Sequence, residues 1–305
     1  LWEVWVVEGL ERDRWALVTK IHHCMIDGIA GVDLLKVLLS PIPDVTVAEP
    51  DTYEPRPAPP PAQLVVDEFW RRTRSAIEAS RSVARFVEES RETSEEIRHR
   101  VNAMTQSIRS GWFSNVTPTP LNGDIGPNRR LAWLDSDLDR IKLIKNELGG
   151  TVNDVVISIV AGALRRFLLE ERDFDVVDAD VRAMVPVSVR TDDQRGELGN
   201  QVTMWLVELP LDEEDPKGRL EAVIATTTHS KETEQALGAA TLTQSMAWTP
   251  GTLLSVAARV AASALRPFNL TITNVPGPQI PLYLLGARMV ANYPMVPLWA
   301  SHGVG

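Results

Sequence analysis

Two runs near the start of the chain, "WEVWVV" at 2–7 and "WALVTKI" at 15–21, read as strands joined by a charged turn. The second runs directly into the pair His22-His23. From Gly28 onward the apolar positions Ile29, Val32, Leu34, Leu35, Val37, Leu38 and Leu39 suit a helix that ends before "SPIPD". A strand that gives way to a helix across one short turn constrains the fold more than any other feature here. It calls for a mixed α/β or α+β architecture.

The rest of the chain keeps that alternation. Residues 41–61 are rich in proline and read as an extended linker. A long amphipathic helix or helical pair is expected over roughly 63–109, its Arg and Glu forming a solvated face. After a loop-like stretch at 111–130, "RRLAWLDSDL" reads as a strand and "DLDRIKLIKNELG" as a helix with Asp caps. "TVNDVVISIVAGALRRFLLE" then reads as a buried helix. "VRAMVPVSVR" and "NQVTMWLVELP" are strands, residues 216–235 and 250–266 helices, and "NLTITNVPGP" a strand ending in a Pro/Gly turn. The expected domains are 1–62 with the linker, a helical connection at 63–120, and a lobe at 121–305.

The 305 residues suffice for two lobes with sizeable cores. A formal charge of −10 disfavours nucleic acid as a general partner, because such binding needs dense Lys/Arg patches. One cysteine, Cys24, allows no intrachain disulfide and points to a reducing compartment. No run approaches the ~20 apolar residues of a membrane span, and no secretory signal opens the sequence. The expected location is cytoplasmic. Nine Trp and several apolar surfaces would also permit peripheral contact with an inner membrane or lipid inclusion.

The chemistry concentrates in "HHCMIDG", His22 to Gly28. Adjacent side chains on an extended segment point in opposite directions, so one His faces a cleft while its neighbour packs behind. Gly28 supplies backbone freedom at the turn, and Asp27 lies within reach to fix its geometry. An imidazole near neutrality suits general-base work on a hydroxyl. Zinc would want three or four ligands, yet His99, His229 and His302 stand isolated in sequence. Cys24 as a nucleophile would need a His side chain facing it, which sequence neighbours rarely supply. Two core histidines beside an incidental Asp remain a full alternative on these residues alone.

His-His-x-x-x-Asp-Gly at a strand-to-helix turn resembles the signature of the chloramphenicol acetyltransferase-like superfamily, which includes nonribosomal-peptide condensation domains and carnitine acyltransferases. Further segments are similar to the bacterial wax ester synthase/diacylglycerol acyltransferase family, in that family's order. They are "GGTVNDVVISIVAGALRRFL" (Gly149–Leu168), "MVPVSVR" (Met184–Arg190), "LGNQVTMWLVELP" (Leu198–Pro210) and "NVPGP" (Asn274–Pro278). Nearly the whole chain is covered. Members of the family are usually longer, so the chain is expected to be truncated at both ends.

The resemblance implies two acetyltransferase-like lobes, with mixed sheets flanked by helices and an active site in the cleft between them. It implies an O-acyltransferase that takes acyl-CoA as co-substrate, with no bound cofactor or metal. The acceptor would be diacylglycerol or a long-chain fatty alcohol, giving triacylglycerol or wax ester. His23 matches the catalytic base, and His22, Asp27 and Gly28 match the supporting positions. Asp27 would pair with an Arg, for which Arg190 is a candidate. Asn153, Asp154 and Asn274, with Pro276 and Gly277 of the same turn, match family motif positions, which would shape the cleft or bind substrate. Their structural alternatives are helix capping at "TVND" and a tight turn at "NVPGP". A condensation-type enzyme using a carrier-protein thioester, or an inactive lipid-binding fragment, would share these motifs.

Overall fold

The computed structural model describes residues 2–22, 35, 38–43, 57, 59–71, 73–74, 114–188, 202–232, 266–298 and 301–305. The named elements are β1 (Trp2–Leu10), β2 (Arg14–Ile21), α1 (Leu138–Leu148), α2 (Val152–Arg172), β3 (Arg182–Ser188), β4 (Val202–Glu208), α3 (Pro216–Glu232), β5 (Leu270–Thr271), β6 (Tyr283–Leu284) and β7 (Ala287–Arg288). Two compact units contain them. The first is Leu1–Glu49, Pro186–Thr203 and Thr273–Met295; the second is Pro50–Val185, Met204–Ile272 and Val296–Gly305.

In the first unit β1 and β2 pair antiparallel, Trp2 opposite Ile21 and Val7 opposite Ala16, before the register slips between Val7 and Leu10. Arg12 and Asp13 turn the chain at φ 62° and 54°. β6 and β7 form a second hairpin, with Leu284 opposite Ala287 and only Leu285 and Gly286 between. Both loop residues have positive φ, 48° and 83°, the signature of a type I′ turn whose twist matches its strands. Glycine accepts that backbone freely, whereas a leucine there carries strain of about 1–3 kcal/mol.

The second unit has a three-stranded sheet in the order β4-β3-β5. β3 and β5 run parallel, pairing Ala183 with Leu270 and Met184 with Thr271. α2 forms because Thr151 caps its N-terminus in a capping box with Asp154, an acid sits in its first turn and Arg172 in its last. Asp154, Ile157, Ala161, Leu164 and Leu168 recur at alternating three- and four-residue steps and make its buried stripe. Leu220, Val223, Thr227 and Ser230 form the matching buried stripe of α3. Met184, Leu206 and Phe268 make a core cluster, with Met204 packed against it. Two arginines hold the connection from β4 to α3. Arg165 Nη1 donates to Leu211 O at 2.9 Å and Arg219 Nη1 to Glu213 O at 2.7 Å.

The elements expected at 2–7, 15–21, 151–170, 181–190, 200–210 and 216–235 appear as β1, β2, α2, β3, β4 and α3, with the bounds given above. α1 follows its Asp137 cap as its sequence predicts. Residues 129–137, expected to begin with a strand, are irregular and exposed instead. Alternating apolar residues make a strand only where a neighbouring strand accepts their hydrogen bonds, and no described segment pairs with them. Residues 61–71 are helical at the start of the expected long helix. Most of that helix, and the helix expected at 250–266, lie outside the described residues.

Candidate functional site

β2 ends at Ile21, and His22 follows immediately as an exposed residue off the strand. The pairing of Trp2 with Ile21 fixes the height at which the chain leaves the hairpin. His23, Cys24, Asp27 and Gly28 lie outside the described residues, as does Arg190. Downstream, Leu35 and Leu38 are helical, and Leu39 N donates to Leu35 O at 2.8 Å. Ser40 then exchanges two backbone hydrogen bonds with Tyr283, both 2.8 Å. The chain just past Leu39 is therefore tied to β6.

The same unit contains Asn274, Pro276 and Gly277. All three are exposed in an irregular loop three to six residues past β5, and Gln279 Nε2 donates to Gly277 O at 2.8 Å. Gly277 has no positive φ, and a Cβ there would meet nothing within 4 Å. The backbone itself thus makes no demand for glycine at that position.

Asn153 and Asp154 belong to the other unit. Asp154 is 3% exposed, and both its carboxylate oxygens are engaged. Oδ2 accepts from the Thr151 backbone N–H at 2.7 Å and from Thr151 Oγ1 at 2.8 Å. Oδ1 accepts from Thr227 Oγ1 at 2.8 Å, a contact from α3. A buried carboxylate needs such partners to offset its desolvation. The geometry makes Asp154 the fastener of α2 to α3, and Asn153 stands half-buried one residue before it. Thr227 was not signalled by its sequence: it sits in an unremarkable "ATTTHS" run, and its partner is 73 positions away.

A second buried polar cluster anchors the sheet. Asn269, fully buried, donates through Nδ2 to Thr117 O and to Asn122 Oδ1, each at 2.8 Å, and accepts from the Arg182 backbone N–H at 2.9 Å. Asn122 Nδ2 in turn donates to Asn269 O at 3.1 Å. His302 stacks on Phe268 with centroids 4.3 Å apart, its Nε2 lying 3.0 Å from Phe268 O. Among the described residues no three His, Cys, Asp or Glu side chains gather as metal ligands. No described helix is long and apolar enough to cross a membrane.

Residues 1–156 match the model of the wax ester synthase/diacylglycerol acyltransferase catalytic domain, and residues 198–305 that family's C-terminal domain. A Mycobacterium tuberculosis protein described as a diacylglycerol O-acyltransferase is 34% identical over 311 residues, covering 100% of this chain and 59% of that protein. The O-acyltransferase WSD of Acinetobacter baylyi is 30% identical over 96% of this chain and 62% of its own length. The solved wax ester synthase/diacylglycerol acyltransferase of Marinobacter aquaeolei shares the fold, with a TM-score of 0.56 at 24% identity. That likeness covers 95% of this chain and 58% of that one. The chain thus spans about three fifths of the length of these relatives.

Proposed function

The chain belongs to the wax ester synthase/diacylglycerol acyltransferase family, and from that premise we propose that it carries the catalytic base of a lipid O-acyltransferase. The observation that carries this reading is the match of residues 1–156 to the family's catalytic domain, a span that includes the whole of His22 to Gly28. The exit of β2 into His22 is consistent with a histidine pair presented at a strand end.

In the proposed reaction His23 accepts the hydroxyl proton of diacylglycerol or a long-chain alcohol. The alcohol oxygen attacks the carbonyl carbon of an acyl-CoA thioester, and the tetrahedral adduct collapses by breaking the C–S bond. The imidazolium returns its proton to the departing CoA thiolate, so no acyl-enzyme forms and the histidine ends as it began. His22, Asp27 and Gly28 hold the turn that presents His23. Because substrate and product are both lipids, the protein works at the periphery of a membrane or lipid inclusion.

The test is a transfer assay on the full-length protein that carries this chain. Labelled palmitoyl-CoA is offered with diacylglycerol and with hexadecanol, and the products are separated as lipids. Label in triacylglycerol or wax ester supports the reading. Label in free fatty acid alone indicates a thioesterase and overturns it.

A further inference from the structure

The β6–β7 hairpin breaks a local rule at an exposed point. A two-residue type I′ loop is best served by Asn-Gly or Asp-Gly, yet its first position is Leu285, at φ 48°. Burial does not offset that strain, since Leu285 is 72% exposed. Further along the same segment Val290 is 73% and Met295 67% exposed. The segment is also nearly uncharged. None of the chain's 41 Asp and Glu lies beyond Glu234, and Arg288 is the sole charged residue between 280 and 295.

We propose that residues 280–295 dock on an uncharged lipid surface, with the Leu285 tip inserted among the acyl chains. A single leucine on a two-residue turn is convex. It offers a rigid protein little of the roughly 1,000 Å² that a specific interface needs, whereas a fluid acyl phase closes around it. Charge selects the type of lipid. With no acid and a single arginine, the segment carries too little charge to depend on anionic headgroups, and it matches a zwitterionic or neutral surface. The choice of lipid over other apolar partners also rests on the proposed lipid substrates. Vesicle binding requires no turnover, so failure to dock and failure to transfer acyl groups are read separately.

The experiment is flotation of the full-length protein that carries this chain with phosphatidylcholine vesicles, comparing the natural sequence with Leu285→Asn. Asparagine is at ease at positive φ, so this variant relaxes the turn while removing the apolar tip. Its melting temperature should rise, and its vesicle partition should fall about tenfold, the equivalent of losing one partly buried leucine. A second variant, Met295→Gln, should weaken partition without altering the melting temperature. Binding by Leu285→Asn equal to that of the natural chain overturns the proposal. So does binding confined to phosphatidylglycerol vesicles. A dimer in sedimentation velocity that Leu285→Asn disperses assigns the tip to a second copy instead, and equally overturns it.

Discussion

Thr227 Oγ1 donates to Asp154 Oδ1 at 2.8 Å, joining α3 to the first turn of α2 across 73 positions of sequence. Thr227 is 2% exposed and Asp154 3%, so water replaces neither partner readily. Thr227→Val keeps the shape of the side chain and removes the donor. It should destabilise the fold by about 1–3 kcal/mol, the cost of leaving a buried acceptor unsatisfied. Asp154→Ala also removes the carboxylate half of the capping box and should cost at least about 2 kcal/mol. Urea unfolding of the two variants and the double variant measures the coupling. An additive double variant would show that the bond contributes nothing.

Gly150 sits at the corner between α1 and α2 with φ 80°. A Cβ there would lie 2.8 Å from the Ile224 side chain on α3 and 3.1 Å from Asp154 Oδ2. Gly150→Ala therefore suffers both backbone strain and a packed neighbour. A loss of about 1–3 kcal/mol is expected by denaturant titration. The control is Gly123→Ala, where nothing lies within 4 Å and φ is not positive, and it should unfold with the natural midpoint.

Much of the fold was legible because its elements announce themselves locally. The 3.6-residue stripe and Thr151 cap of α2, and the Trp- and Val-rich runs of β1 and β2, depend on near neighbours in sequence. Residues 129–137 look strand-like but are irregular, because a strand depends on partners that its own residues do not encode. The candidate site divides in the same way. "HHCMIDG" and "NVPGP" are contiguous motifs and stand out in the sequence, whereas Asp154 acquires its role from Thr227, which belongs to a distant helix. The strained Leu285 was equally hidden, since a leucine carries no signal of positive φ.

Asn269 satisfies three backbone or side-chain partners from a fully buried position. Asn269→Ala leaves the Arg182 N–H and the Asn122 carboxamide without it, and should cost about 2–4 kcal/mol. Asn269→Asp keeps the acceptor for Arg182 but loses both donated bonds, so it should also destabilise. Thermal unfolding of the three proteins decides this. An Asn269→Asp variant as stable as the natural chain would show that the donated bonds to Thr117 O and Asn122 Oδ1 carry little weight.

The proposed role of His23 as the base of an acyl-CoA-dependent ester synthesis is tested by removing its imidazole. The most direct measurement compares His23→Ala with the natural sequence in the full-length protein, counting labelled triacylglycerol and wax ester formed from palmitoyl-CoA. The unfolding midpoint is recorded on the same samples. Loss of a general base predicts a fall of about 10²- to 10⁴-fold in ester formation with the midpoint unchanged. Ester formation by His23→Ala at the natural rate would contradict it.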